Sequence, residues 1–395
     1  MRNRLASLWL VSALLLILAP FAMASTTWYV DGVNGNDNND CKTPQTACKT
    51  IGHAISLTAN GDTISVAAAT YMENIDINHA LRILGSGADT TIIHGTGGTV
   101  VKISPGHVVT LSGLTIRNGN TGIDNSGRLD LESSVVTENT SHPGCALYCF
   151  STGAGISNHT GATLYIRNST VSANIVSLDC SSHTRLCALG GGGIFSNGSR
   201  LTIINTTISG NAAKRNGGIG GTGGGIWVAA GTAIISNSTI AKNMAGGGAA
   251  IENAGTLIIS NTTIARNTST SGSISDYPVA TATLQNTIIS NNAGGNCSGT
   301  MTSNGYNLSS DGSCNFNGPG DLNNIDPKLG PLQNNGGPTK TMALRFASPA
   351  IDAGNPNGCR DNLGILIKTD QRGMPRHDKE DTGGCDIGAY ESQSD

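Results

Sequence analysis

The stretch Leu257-Ile-Ile-Ser-Asn-Thr-Thr-Ile264 decides the fold, because close copies of it recur along the chain. Residues 164–171, 201–208 and 233–240 superimpose on it without gaps. Repetition of this kind predicts a solenoid, in which each repeat is one coil that stacks on its neighbours. The last two intervals between the central asparagines are 24 and 25 residues. The series is Asn168, Asn205, Asn237, Asn261 and Asn286, with Ser133 at the equivalent position of an earlier coil.

The residues around each central asparagine keep constant offsets. Apolar or small residues lie four and two positions before it, and an apolar residue lies three after it. This alternation is typical of a short β-strand, and the change from even to odd spacing indicates a corner at the asparagine. Asparagine tolerates the left-handed backbone of such a corner, and stacked amides can form a hydrogen-bonded ladder. A second asparagine follows six residues later, at Asn139, Asn174, Asn211, Asn243, Asn267 and Asn292.

We therefore predict an all-β fold, a single-stranded right-handed parallel β-helix with capped ends. The composition, with 54 glycines and 4% aromatic residues, suits a thin stacked core with many tight turns. A leucine-rich repeat has a similar length, but its leucine consensus and helical segment are not seen here. The Asn-Ser-Thr triplets also match glycosylation acceptors, yet their fixed place in the repeat favours a structural role.

Four regions follow from the pattern. Residues 1–24 read as a signal peptide, with Arg2 and Arg4 before an apolar run and Ala22-Met-Ala24 as the cleavage site. The alternative is an uncleaved membrane anchor, although the apolar run is short for a span. No transmembrane segment is expected after cleavage. Residues 25–60 are expected to form an N-terminal cap with a short helix near 51–57, residues 61–292 the β-helix, and residues 293–395 an irregular C-terminal region.

The ten cysteines fall as neighbours in sequence, and export permits disulfides. We expect five local bridges, while a cross-link between the loops that carry the second and third pairs is the alternative. A zinc site is less favoured, because no CxxC motif occurs. The expected pairs are Cys41 with Cys48, Cys145 with Cys149, Cys180 with Cys187, Cys297 with Cys314, and Cys359 with Cys385.

Three successive coils are longer than the rest, and the extra residues always follow the second asparagine. The insertions, near 140–153, 175–192 and 212–224, are expected to leave the helix at one corner and to stack into a ridge. Insertions on one face of a repeat protein often mark its binding face, although they can also be tolerated surface loops. The candidate binding residues in them are His142, Tyr148, Asp179, His183, Arg185, Lys214 and Arg215.

An oxygen-rich run near the N-terminus, with Asp31, Asp37 and Asp40, provides ligands of the kind that Ca²⁺ prefers. The run lacks the twelve-residue loop with its terminal glutamate, so an Asx-rich turn is the favoured interpretation. Calcium is therefore the one cofactor considered, and no other is expected.

The C-terminal region loses the repeat and becomes rich in Gly and Pro, which indicates turns. Its charged residues are candidates for an ion-pair network that closes the helix. They are Asp352, Asp370, Arg372, Arg376 and Asp386.

These motifs resemble known families. The coils, with the N-terminal Tyr29-Val-Asp31 and Gly61-Asp-Thr-Ile64, resemble bacterial right-handed parallel β-helix repeat proteins of the pectin-lyase-like fold. The tail, with Ser348-Pro-Ala-Ile-Asp-Ala-Gly354, Asp370-Gln-Arg-Gly373 and Cys385-Asp-Ile-Gly-Ala-Tyr-Glu391, is similar to the choice-of-anchor Q domain of exported proteins. The resemblance implies export to the periplasm, the medium or the cell surface of a bacterium.

Two classes of function remain open. The sequence favours a non-catalytic, adhesin-like protein that binds glycans or cell surfaces through the stacked loops. The alternative is a polysaccharide lyase or glycoside hydrolase, which would need clustered carboxylates with a base, or paired carboxylates. The coils carry few acidic residues and mostly Ser, Thr, Asn and Gly. The net charge of −3 gives no reason to expect nucleic-acid binding.

Overall fold

A computed structural model describes residues 25–142, 148–178, 186–215, 218–376 and 384–393; for 148–152, 178, 186–188 and 199 only the backbone is described. The expected signal peptide, residues 1–24, lies outside this part of the chain. Within it, three long sheets of parallel strands run side by side along one axis, and the chain visits them in turn. This is the predicted right-handed parallel β-helix.

Sheet A has eleven strands and forms one side of the coils. Each strand pairs with the equivalent strand of the coils before and after it. The strands are Thr27–Val30, Asp62–Val66, Leu81–Gly85, Val108–Ser112, Arg128–Glu132, Thr163–Arg167, Ser199–Ile204, Gly231–Ser236, Thr256–Ser260, Thr281–Gln285 and Met301–Ser303.

Sheet B follows sheet A around the corner at the central asparagines. Its eleven strands are Ala69–Met72, Thr91–His94, Thr115–Arg117, Val135–Thr137, Thr170–Ser172, Thr207–Ser209, Thr239–Ala241, Thr263–Ala265, Ile288–Ser290, Leu308–Ser309 and Leu322–Asn323.

Sheet C closes the coil. Its nine strands are Ile75–Ile77, Thr99–Ile103, Thr121–Asn125, Ile156–Asn158, Ile194–Ser196, Ile226–Val228, Ile251–Asn253, Ile274–Asp276 and Cys297–Ser298. The first residue of most of these strands is a buried isoleucine, which stacks on the isoleucine of the next coil. The core is therefore a set of aliphatic columns, to which every coil contributes and which no single coil could bury.

The central asparagines form an outer column at the corner between sheets A and B. All five have a left-handed backbone, with φ between 49° and 53°, and Ser133 has φ of 48°. Asn205 Nδ2 donates to Asn168 Oδ1 at 3.2 Å, and Asn237 Nδ2 to Asn205 Oδ1 at 2.8 Å. The same bond joins Asn286 to Asn261 at 3.0 Å. The corner and the ladder thus have the geometry that the repeat predicts.

The second asparagines form an inner column, which is buried at the corner between sheets B and C. Each Nδ2 donates to Oδ1 of the next asparagine at 3.0 Å, from Asn139 through to Asn292. A third column, which the sequence analysis missed, lies at the corner between sheets C and A. There Asn125 Nδ2 donates to Asn158 Oδ1 at 2.7 Å.

The N-terminal end is covered by the helix Ile51–Leu57, which buries Ile51, Ala54 and Ile55 against the first coils. A short 3₁₀ turn, Pro44–Thr46, precedes it. The region expected as a cap also contributes a strand, because Thr27–Val30 pairs with Asp62–Val66 in sheet A.

The C-terminal region differs from the expectation in two ways. The coils continue beyond Asn292 to the strand Leu322–Asn323, although the asparagine offsets have been lost. The chain then turns back and runs along the outside of the coils, with an antiparallel pair, Leu329–Gln333 and Thr341–Leu344. We call the described residues 324–376 and 384–393 the C-terminal strap.

The charged residues of the strap do make buried ion pairs, Arg372 with Asp370 at 2.7 Å and Arg376 with Glu391 at 2.8 Å. The expectation that such a network closes the end of the helix is not met. The network lies along the side of the coils, because Arg376 bonds to Asn237 in a middle coil.

Candidate functional site

The three insertions leave the helix at the corner between sheets B and C and stack on one another. Thr140–Ser141, Ile175–Leu178 and Ala212–Arg215 pair as parallel strands, with Gly218–Ile219 antiparallel to the last. Further out, Tyr148–Thr152 pairs in parallel with Leu186–Gly190. We call the described residues of these insertions, within 140–153, 175–192 and 212–224, the loop ridge.

The structure describes only some of the binding residues expected in the ridge. His142 and Arg215 are exposed, and Lys214 is half-buried in the strand Ala212–Arg215. Tyr148 begins a strand of the ridge, but its side chain lies outside the description. The remaining candidates, Asp179, His183 and Arg185, also lie outside the described residues.

The outer face of sheet C lies directly beside the ridge. In each strand the residue after the core Ile, Val101 or Cys297 points away from the core, and strand pairing aligns these residues in one row. Nine strands at the usual spacing make this row roughly 40 Å long. From the N-terminal end, the row is Asp76, Lys102, Asp124, Ser157, Phe195, Trp227, Glu252, Ser275 and Ser298.

Two aromatic rings occupy the middle of the row. Phe195 and Trp227 pack edge to face, with ring centroids 5.1 Å apart. The Trp227 ring also lies on Gly190, the last residue of a ridge strand, where an added Cβ would stand 2.1 Å from the ring atom Cε3. Only glycine permits this approach, so the ridge and the aromatic pair form one surface.

Glu252 follows the aromatic pair and is almost sealed from solvent, with 4% of its surface exposed. Burial raises the pKa of Glu252 to about 7; hydrogen bonds from Ser275 and Tyr277 oppose the rise and the nearby charge of Asp276 adds to it. Its Oε2 has no hydrogen-bond partner among the described residues. The carboxyl is therefore enclosed and protonated for much of the time near neutral pH.

The groups next to Glu252 are also perturbed. Burial raises the pKa of Asp276, against a hydrogen bond of 2.5 Å from Asn253 Nδ2. Burial and the neighbouring Glu252 raise the pKa of Tyr277, whose ring remains substantially exposed. This end of the face thus presents the exposed ring of Tyr277, whose hydroxyl bonds the buried Glu252, beside the half-buried carboxyl of Asp276.

A second polar contact lies towards the N-terminal end of the row. His159 Nε2 hydrogen-bonds Asp124 Oδ1, and both side chains are partly exposed. His159 belongs to the turn that follows the strand Ile156–Asn158, so it lies at the border of sheet C.

The three aspartates considered for calcium are engaged separately. Asp31 accepts from the backbone amides of Val33 and Asn34, Asp40 from Lys42 N, and Asp37 from Lys49 N and Thr50 N. Among the described residues, the one group of three potential ligands within 4.8 Å is Cys41, Cys48 and His53, and it does not include them. The local bonds of Asp31 and Asp40 are those of Asx-type turns, which the sequence favoured, whereas Asp37 bonds to the start of the helix Ile51–Leu57.

Three of the five expected disulfides are present, Cys41–Cys48, Cys297–Cys314 and Cys359–Cys385. The first pair is therefore part of a disulfide and not a metal site. The four ridge cysteines have no described side chains; the backbone places Cys149 opposite Cys187 in paired strands.

The sequence analysis missed the row on sheet C. One signal was available in the sequence. The residue after the isoleucine that begins each strand of sheet C changes from Ser157 to Phe195, Trp227 and Glu252 in successive coils. An aromatic pair and a carboxylic acid at an outward position are unusual in a chain that is 4% aromatic and 12% charged.

The comparisons add little to this description. No family model matches the chain, and no curated protein matches it. Among solved structures, the crystal structure of pectate lyase Pel9A is similar to this chain with a TM-score of 0.43 and 13% identity, over 94% of this chain and 97% of that one. Similarity at this level carries no argument about activity, so the fold rests on the strand pairing described above. No helix in the described residues is long and apolar enough to cross a membrane.

Proposed function

We propose that this chain is an exported bacterial β-helix protein that binds glycan chains, without cleaving them, on the outer face of sheet C beside the loop ridge. One observation carries the proposal. Trp227 packs against Gly190 of the ridge and edge to face on the buried ring of Phe195, and the exposed ring of Tyr277 follows on the same face. Aromatic side chains with a polar group suit ligands that have both apolar faces and hydroxyls.

The shape of the face supports a polymeric ligand. The row on sheet C is long and shallow, and it is built from parallel strands at regular spacing. Such a face suits an extended chain better than a small molecule, which would need a concave pocket.

The charge of the face supports a neutral glycan. The described row holds three acids, Asp76, Asp124 and Glu252, and one base, Lys102. Because Glu252 is enclosed and largely protonated, the charged groups of the row are Asp76, Asp124 and Lys102, and they offer no cluster of cations to an acidic polysaccharide. Polar side chains of the row can instead exchange hydrogen bonds with sugar hydroxyls.

The enzymatic alternative has one observation in its favour, the raised pKa values of Glu252 and Asp276. Perturbed acids of this kind are typical of catalytic sites. However, Glu252 is enclosed, and its Oε2 has almost no surface through which a substrate could approach. Binding without cleavage is therefore the better-supported function.

Export and surface attachment belong to the same proposal. The apolar leader 1–24 and the three disulfides support an oxidising, non-cytoplasmic location. We assign the C-terminal strap to the choice-of-anchor Q type on its sequence motifs, and we infer a role at the cell surface. Calcium stays a proposal for the N-terminal turns and enters the experiment as a variable.

The test is a glycan array of neutral and acidic oligosaccharides, probed with the wild type, Tyr277→Ser and Trp227→Leu. Tyr165→Ser is the matched control, because Tyr165 lies on the outer face of sheet A. We expect Tyr277→Ser and Trp227→Leu each to weaken binding about tenfold, which corresponds to about 1.4 kcal/mol. Equal binding by all variants, or no binding by the wild type, would refute the proposal.

A second arm addresses the enzyme. The wild type is incubated with acidic polysaccharides with and without Ca²⁺, and unsaturated or reducing sugar ends are measured. If the wild type released such ends and the Glu252→Gln variant did not, the chain would be a lyase or hydrolase and the non-catalytic assignment would be overturned.

A further inference from the structure

A hairpin of the C-terminal strap exposes an unusual cluster of aliphatic side chains. Arg360 and Leu366 pair at its base, and residues 361–365 form its tip. Leu363, Ile365 and Leu366 are exposed by 75%, 60% and 40% of their surfaces. Single exposed aliphatics are ordinary, but three within four residues at a protruding turn are not.

The tip satisfies its own backbone. Leu363 N and Ile365 N both donate to Oδ1 of Asp361 at 2.9 Å, and Gly364 N donates to Asp361 O at 3.0 Å. The Gly364 carbonyl accepts from Arg360 Nη1 at 2.8 Å. A segment with internally bonded polar groups can leave water at a low cost, which is the condition for entering a hydrocarbon phase.

The tip is also held firmly by the rest of the strap. Cys359, immediately before the hairpin, forms the disulfide with Cys385, and Asn261 Nδ2 donates to Arg360 O at 2.8 Å. A rigid base presents the aliphatic side chains together and lowers the ordering cost of any contact.

Among the described residues of the hairpin, two cations flank the tip and one acid lies within it. Arg360 and Lys368 flank it, and Lys368 is exposed. The acid within the hairpin, Asp361, is bonded to the tip amides as described above. Arg200 on sheet A borders the cleft of about 330 Å³ beneath Leu363 and has no ion-pair partner among the described residues.

We propose that this hairpin is a lipid-contacting tip, which inserts Leu363, Ile365 and Leu366 into the interface of an anionic bilayer while Arg360 and Lys368 face the phosphates. Aliphatic side chains flanked by cations suit such a surface. A protein partner is less favoured, because interface hot spots are enriched in Trp and Tyr, and residues 360–366 contain neither.

The tip lies on the side of the coils that faces away from sheet C. The strap crosses the corner between sheets A and B, where it bonds to the outer asparagine column. In a three-sided coil this corner lies opposite sheet C. Contact with a bilayer through the tip therefore leaves the face of sheet C open to solvent, although the lipid proposal stands independently of glycan binding.

The test is co-sedimentation of the full chain with vesicles of phosphatidylcholine and phosphatidylglycerol, compared with phosphatidylcholine alone. We expect binding to the anionic vesicles that falls with added salt. The double variant Leu363→Ser/Ile365→Ser should lose at least about tenfold in partitioning, as burial of two aliphatic side chains predicts. Lys368→Glu should lose binding to the anionic vesicles.

The control is Phe346→Ser, since Phe346 lies elsewhere on the strap and is 87% exposed. It should bind as the wild type does, and all variants should keep the wild-type thermal midpoint. The proposal fails if the wild type ignores both vesicles, or if the tip variant binds normally. It also fails if sedimentation velocity shows instead that the tip joins two copies of the chain.

Discussion

Arg376 Nη2 donates to Oδ1 of Asn237 at 2.6 Å, although 139 residues separate them in the chain. Arg376 is 1% exposed, and its Nη1 pairs with Glu391 at 2.8 Å. The outer asparagine column therefore has two structural roles. It joins successive coils, and it provides the amides and carbonyls on which the C-terminal strap docks.

Removal of the arginine should detach the strap. Arg376→Met leaves the carboxylate of Glu391 buried without its cation, which typically costs about 3–5 kcal/mol. We expect the free energy of unfolding in urea to fall by this amount, and the strap amides to lose protection in hydrogen exchange.

The charge can be separated from the packing with a second variant. Arg376→Met/Glu391→Gln removes both charges, so it should be more stable than the single variant. Equal stability of the wild type and Arg376→Met would show that the strap is held by other contacts.

The inner asparagine column should be the least tolerant of substitution. Asn211 donates to Val171 O at 2.9 Å and Asn243 Oδ1 at 3.0 Å, and accepts from Asn174. Asn211→Ala removes both bonds donated by the side chain and the acceptor of Asn174 Nδ2, although the backbone N of residue 211 still donates to Asn243 Oδ1. We expect the loss of these buried bonds to cost about 1–3 kcal/mol. Asn211→Asp should cost more at neutral pH, because it turns two donors into buried acceptors.

Urea unfolding of both variants measures this cost, with Asn197→Ala as the control. Asn197 makes one exposed side-chain bond, to Thr160, and belongs to neither column. A loss of stability in the control as large as in Asn211→Ala would argue against a special role of the ladder.

The repeat predicts most of this fold because a solenoid is built from local offsets. The strand before Asn168 and the corner at Asn168 follow from spacing that is visible within a dozen residues. The return of the strap was not predictable in the same way. The contact between Arg376 and Asn237 joins distant segments, and no periodic signal links them.

The candidate site was predicted only in part for a related reason. The insertions lengthen the intervals between the repeated asparagines, so the corner at which they leave the helix was predictable from the sequence. The face of sheet C depends instead on strand register, which aligns Trp227 with Glu252 across two coils of different length. The approach of Gly190 to Trp227 depends on the path of the insertion, which composition does not specify.

Glu252 should make the stability depend on pH. Its pKa is about 7 in the folded protein, against 4.5 ordinarily. Between these values the unfolded chain loses the proton and the folded chain keeps it, so the free energy of unfolding falls as pH rises. Glu252→Gln removes this penalty. It should stabilise the protein at pH 8, by at most about 3 kcal/mol, and have little effect at pH 4.

The difference in urea midpoint between Glu252→Gln and the wild type, followed from pH 4 to pH 8, checks this expectation. Glu138→Gln is the control, since Glu138 is a surface carboxylate with 62% of its side chain exposed. A constant difference across the range would mean that folding does not raise the pKa of Glu252.

The contact between Gly190 and Trp227 gives the last test, because it links the loop ridge to the aromatic pair. A Cβ at residue 190 would stand 2.1 Å from Cε3 and 2.8 Å from Cζ3 of the Trp227 ring, closer than real atoms approach. Gly190→Ala must therefore displace the ring or the ridge, and such overpacking typically costs about 1–3 kcal/mol. We expect a shifted tryptophan emission and weaker glycan binding, whereas Gly312→Ala, which meets only the side chain of Asn324 at 3.4 Å, should change neither. If Gly190→Ala altered the emission and left glycan binding intact, the ligand would not depend on the junction between ridge and sheet, and the binding surface would have to lie further along the row.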